Sequence, residues 1–123
     1  MTNLLQGKRI LVVEDEGLIA MLIGDAILDE GGVVVGPAPD LDRAVALARD
    51  EGIDAAVLDC NLAGRSSDPV ADILVTRGIP FLFATGYGNL AGCGASASHA
   101  TAPVLGKPFR IDALVALLER MVA

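Results

Sequence analysis

Arg9-Ile10-Leu11-Val12-Val13-Glu14-Asp15-Glu16 is a β-branched apolar run that stops abruptly in acids. Apolar on both faces, it suits a central strand of a parallel sheet, which helices must cover on either side. A helix pattern follows, with Leu18, Ile19, Leu22, Ile23, Ala26 and Ile27 at helical spacing, and it stops at Gly31-Gly32. Val33-Val34-Val35 is the next strand, broken by Gly36-Pro37. Asp40 then reads as the N-cap of a helix through Ala44, Val45, Leu47 and Ala48, closed by Gly52.

The alternation continues to the end. Ala55-Ala56-Val57-Leu58 makes a third strand ending at Asp59, and Pro69 to Arg77 reads as a helix stopped by Gly78. Pro80-Phe81-Leu82-Phe83-Ala84 is the fourth strand and Val104-Leu105 a short fifth. The last helix carries Ile111, Leu114, Val115, Leu117, Leu118, Met121 and Val122. Five strands alternating with helices predict an α/β fold around a parallel sheet. One helix is weak: residues 86–102 contain four glycines, each costing ~1 kcal/mol against alanine in a helix interior. A short, frayed helix is expected there.

Composition narrows the function. At 123 residues the chain is expected to be one domain, 1–123, with its core over about 8–122 and no output domain. Apolar residues make up 53% of it, but only Phe81, Phe83, Tyr87 and Phe109 are aromatic, so the core must be aliphatic. The net charge is −7 and the basic residues are scattered. That argues against nucleic acid, whose binding needs a basic face to displace counterions, and against an anionic membrane. No apolar run reaches the ~18 residues of a spanning helix, and the N-terminus lacks a signal-peptide layout. A cytoplasmic location is expected. Cys60 and Cys93 are expected to be reduced thiols acting as small apolar residues, and His99 a surface histidine. Val115 and Val122 widen the apolar stripe of the last helix, a candidate homodimer or partner face.

Ligands of open parallel sheets bind beyond the carboxyl ends of the strands. The strand ends deliver Glu14 and Asp15, Asp59, Thr85 and Lys107 to that edge. Taken singly, Asp15 reads as an N-cap, Thr85 as a turn residue and Lys107 as a solvated lysine; their order at four strand ends makes the set specific. Three carboxylates in one place repel and call for a cation, and Mg²⁺, hard and water-retaining, needs only two carboxylates and a carbonyl. Asp59 is then the natural nucleophile toward phosphorus, with Lys107 and Thr85 as donors to the new phosphate.

Val12-Val13-Glu14-Asp15-Glu16, Leu58-Asp59, Ala84-Thr85-Gly86 and Lys107-Pro108-Phe109 resemble the signature of two-component response-regulator receiver domains. The resemblance implies a flavodoxin-like (CheY-like) doubly wound sheet of order 2-1-3-4-5 with about five helices. It implies phosphorylation of Asp59, Mg²⁺ held by Asp15, Asp59 and the Asn61 carbonyl, Glu14 acting through water, and Thr85 and Lys107 sensing the phosphate. It also implies a cis Lys107–Pro108 bond and no activity beyond the domain's own phosphorylation and dephosphorylation. Pro80-Phe81-Leu82-Phe83-Ala84-Thr85-Gly86-Tyr87 and Asp59-Cys60-Asn61-Leu62-Ala63-Gly64 are similar to the narrower FATGUY receivers. That similarity implies a sensor histidine kinase of HWE or HisKA2 type, or a phosphotransfer protein, as partner.

The sequence departs from the family in two places. Val104 stands where receivers carry an aromatic switch residue, and Ala63 replaces the usual proline after the phosphoacceptor. Coupling is therefore expected through Thr85, Gly86 and Tyr87, with phosphate contacts ordering residues 86–100. A small Mg²⁺-dependent phosphatase is the rival reading. Asp59-Cys60-Asn61 argues against it, because such an enzyme needs a second acid two residues on to protonate its leaving group.

Overall fold

The protein, in a computed structural model, is described over residues 3–86 and 102–123. Strand β1 (Arg9–Val13) leads into helix α1 (Gly17–Asp29), β2 (Val33–Ala38), α2 (Leu41–Asp50) and β3 (Ala55–Asp59). Two short strands follow, β4 (Asn61–Leu62) and β5 (Arg65–Ser66), then α3 (Asp68–Arg77), β6 (Phe81–Gly86), β7 (Val104–Lys107) and α4 (Ile111–Val122). The main sheet runs β2-β1-β3-β6-β7 with every pairing parallel. Counting only its own strands in chain order, this is 2-1-3-4-5. The fold class is the one expected, a five-stranded doubly wound α/β domain, with four helices among the described residues.

Alternation along the central strands builds two cores. Leu11, Val13, Ala56, Leu58, Phe81 and Phe83 face α2 and α3, where Ala44, Ala48, Val70 and Leu74 meet them. Ile10, Val12, Ala55, Val57, Leu82 and Ala84 face α1 and α4, where Ile23, Ile27, Leu114 and Leu118 cover them. The helix ends follow their sequence signals. Asp40 caps α2, its Oδ1 accepting the Arg43 N–H at 2.8 Å, and Gly78 ends α3 in the left-handed region at φ 71°.

The structure departs from the sequence reading at several points. Strand β2 does not break at Gly36-Pro37 but runs on to Ala38, with a register shift against β1 between Leu11 and Val13. Gly36 permits this at φ 101°, where a Cβ would lie 2.8 Å from the Ala38 nitrogen and 3.0 Å from the Val12 oxygen. Strand β6 runs past the expected end at Ala84 through Thr85 and Gly86, their backbones paired with Gly106 and Lys107 of β7. The Lys107–Pro108 bond is cis, and so is Gly36–Pro37. The weak helix expected between β6 and β7, with Tyr87, Cys93 and His99, lies outside the described residues. Cys60 is disulfide-bonded rather than a reduced thiol.

The apolar surplus also sits elsewhere than expected. Val115 and Val122 of α4 are partly buried against the core. The exposed apolar face belongs to α1, where Leu18 is 67%, Met21 54%, Leu22 49% and Leu28 58% exposed.

Truncating Leu82, fully buried on β6 in the core layer that α1 and α4 cover, is expected to cost ~2–5 kcal/mol. Leu22→Ala on the open face of α1 should stay within about 0.5 kcal/mol. Urea denaturation of the two variants beside the wild type checks the contrast.

Candidate functional site

Because the sheet is parallel, the carboxyl ends of all its strands share one edge, and register decides which residues meet there. Val13 lies opposite Leu58, so Glu14 and Asp15 follow β1 beside Asp59 at the end of β3. Asp59 in turn pairs with Ala84, one residue before Thr85. On the next strand Lys107 closes β7 opposite Gly86.

Glu14, Asp15 and Asp59 each offer a carboxylate oxygen, and these atoms all lie within 4.8 Å of one another. Lys107 reaches back across two strands into the cluster. Its Nζ donates to both Glu14 oxygens at 2.9 Å and to Asp59 Oδ2 at 3.3 Å. Glu14 is 2% exposed and Asp59 7%, whereas Asp15 is open to solvent.

Burial sets the electrostatics. It pushes the Glu14 carboxyl up to about 7 against the pull of the Lys107 hydrogen bond, and the Asp59 charge adds to the rise. Burial also disfavours the Lys107 ammonium, but its bond to Glu14 and the charge of Asp59 outweigh that and raise it above the usual lysine value. An oxygen-only donor set with surplus negative charge matches a hard divalent cation such as Mg²⁺.

Of the residues singled out in the sequence, Glu14, Asp15, Asp59 and Lys107 thus come together. Asn61 begins β4, two residues after Asp59. Thr85 and Gly86 end β6, on the strand between β3 and β7. Val104 begins β7 and is 43% exposed, at the far end of that strand from Lys107. Tyr87 lies outside the described residues.

Sequence reasoning misses one part of the site. Strands β4 and β5 form a two-residue hairpin after Asp59, and the Ala63 N–H at its tip donates to Asp15 Oδ2 at 3.0 Å. Ala63-Gly64 is a faint turn signal, because such hairpins usually carry Asn or Asp before the glycine.

Comparison with known proteins follows the same outline. The family profile described as "Response regulator receiver domain" matches residues 10–119. The transcriptional regulatory protein PdtaR of Mycobacterium tuberculosis is 29% identical over 117 residues, covering 94% of this chain and 57% of PdtaR. The transcriptional regulatory protein TcrA of the same organism is 35% identical over 117 residues, covering 94% of this chain and 46% of TcrA. The chain thus spans about half the length of the curated relatives it matches. Among solved structures, SdrG from Sphingomonas melonis Fr1 superposes with a TM-score of 0.81 at 39% identity, covering 100% of both chains. PhyR from Brucella abortus superposes with a TM-score of 0.80 at 31% identity, over 98% of this chain and 50% of that one.

The raised pKa of Glu14 has a signed consequence for stability. In metal-free buffer the folded state holds its proton up to about 7, above the ordinary value of 4.5. The stability Glu14 contributes is therefore fully present below pH 4.5 and lost as pH rises through about 7. Denaturation at a series of pH values should show wild type falling relative to Glu14→Gln across that window, and millimolar Mg²⁺ should flatten the fall.

Proposed function

Because the chain belongs to the response regulator receiver domain family, we propose that residues 1–123 form one phosphoacceptor unit of a two-component or phosphorelay system, phosphorylated on Asp59. The observation that carries this reading is the convergence of Glu14, Asp15 and Asp59 within 4.8 Å, with Lys107 Nζ bonded to Asp59 Oδ2.

Each residue has a part its position suits. Asp15, Asp59 and the Asn61 carbonyl would hold Mg²⁺, with Glu14 acting through water. When bound, the ion supplies charge screening at the phosphoryl oxygens. An Asp59 carboxylate oxygen attacks phosphorus; the new O–P bond forms as the bond from phosphorus to the donor's leaving atom breaks, and the leaving atom keeps that electron pair. Lys107, already beside Asp59, donates from its ammonium to the incoming phosphoryl oxygens, and Thr85 donates its hydroxyl. Thr85, Gly86 and Tyr87 carry the signal onward, because Val104 offers no ring to swing.

The narrower reading is a FATGUY-type receiver, supported by Pro80 to Tyr87 and by the likeness to SdrG and PhyR. Its partners are then a sensor histidine kinase of HWE or HisKA2 type or a phosphotransfer protein, and its place is the cytoplasm. The module signals by protein contact. In support, α1 rises from the acidic cluster with Leu18, Met21 and Leu22 exposed along it, an apolar face suited to a protein surface. No helix among the described residues is long and apolar enough to cross a membrane.

Intact mass spectrometry after incubation with acetyl phosphate and Mg²⁺ tests the proposal. Wild type should gain the mass of one phosphoryl group and lose it with time, and Asp59→Asn should gain none. A gain that survives in Asp59→Asn would sink it, as would repeated turnover of a generic phosphomonoester, which marks a hydrolase.

A further inference from the structure

The β4–β5 hairpin is more than a connection between Asp59 and α3. It contains Asn61, lies one residue beyond Asp59, and touches Asp15 through its tip. We infer that this hairpin is a backbone clasp, and that the Ala63 N–H is a positioning group that fixes the Asp15 carboxylate for the divalent cation. The inference rests on the reading of the acidic cluster given above and adds a residue to it.

Three observations make the clasp rigid. At its base the Ser67 N–H donates to the Cys60 carbonyl at 3.1 Å, and the Ser67 hydroxyl reaches the same oxygen at 3.4 Å. In its middle Leu62 is 2% exposed, plugged into the core layer under α2 and α3. Between base and tip, Asn61 pairs with Ser66 and Leu62 with Arg65. These contacts hold the hairpin on either side of its exposed tip.

The tip itself is held in an unfavourable shape. Both turn residues have positive φ, 52° at Ala63 and 90° at Gly64, as a type I′ turn requires. Glycine adopts this region readily; alanine does so against its Cβ. The left-handed Ala63 turns its N–H toward Asp15 across 48 positions of sequence.

Asp15 needs such a hold. Glu14 and Asp59 are buried and tied to Lys107, but Asp15 is exposed and stands just before α1. An N–H on Oδ2 restrains the carboxylate, and Asp15 still has an oxygen within the shared cluster. Groups that orient a metal ligand in this way typically change affinity 10–100-fold when lost.

The test is a Mg²⁺ titration by calorimetry on four forms of the full chain. These are wild type, Asp59→Asn, Ala63→Gly, and a form carrying lactic acid at position 63, whose ester oxygen replaces the N–H and keeps the methyl group. The ester should bind Mg²⁺ about tenfold more weakly or worse, while keeping the wild-type circular dichroism spectrum. Ala63→Gly keeps the N–H, relieves the backbone, and should bind at least as tightly as wild type. Hydrogen exchange gives a second readout: the Ala63 amide should be protected in wild type and exchange faster in Asp15→Ala. An ester form with wild-type affinity overturns the clasp alone, provided Asp59→Asn weakens binding. A wild type without Mg²⁺ affinity, or an Asp59→Asn variant that binds as wild type does, removes the cation site and the clasp with it.

Discussion

Three carboxylates against one ammonium leave two negative charges unbalanced at the edge of a low-dielectric sheet, and the rest of the site is arranged around that imbalance. Lys107 answers part of it by bridging Glu14 and Asp59. The answer is incomplete: burial first, and the Asp59 charge after it, still drive Glu14 up to about 7. A doubly charged cation would neutralise the remainder without adding a side chain. Its neighbours also supply what such an ion asks for: hard oxygen donors, one of them exposed to solvent so that water can stay bound.

The parallel sheet makes this imbalance possible. In an antiparallel sheet the ends of neighbouring strands alternate between edges, and acids that follow β1 and β3 would be carried apart. Here the Val13–Leu58 register brings Glu14 beside Asp59, and the reach of Lys107 across β6 closes the group. The two cores serve that register. Slipping β1 by one residue would exchange its two apolar faces between the helix layers and separate the acids in the same step.

Much of this is legible in the sequence, for a physical reason. Strands buried on both faces must be continuous apolar runs, so β1, β3 and β6 announce themselves, and the polar residues that end them are forced onto one edge. What depends on local backbone geometry is harder to read. Strand β2 runs through Gly36-Pro37 because Gly36 reaches φ 101°, and a Gly-Pro pair ordinarily ends a strand. The hairpin is hidden because its strands are two residues long and its turn begins with alanine. The open face of α1 escapes as well: a helix apolar all round reads as buried, and sequence does not say which side its neighbours cover. The Cys60 disulfide depends on spatial neighbours that spacing cannot supply.

The buried polar side chains and the strained backbone of the described residues gather at this edge. Among the described residues, the buried polar or charged side chains are Glu14, Asp59 and Ser67, and the non-glycine residue at positive φ is Ala63. Two are acids of the cluster; the other two close the base and tip of the hairpin beside it. Evolution toward stability alone would replace each: an apolar residue for Glu14 and for Asp59, glycine for Ala63, a small apolar residue for Ser67. Elsewhere the described core is apolar and obeys its pattern. Conflict gathered at one edge of the described fold is what a site imposes when its geometry is retained at the expense of stability. The buried charge and the left-handed alanine are therefore two halves of one constraint: the first creates the demand for a cation, and the second holds the one ligand that burial does not.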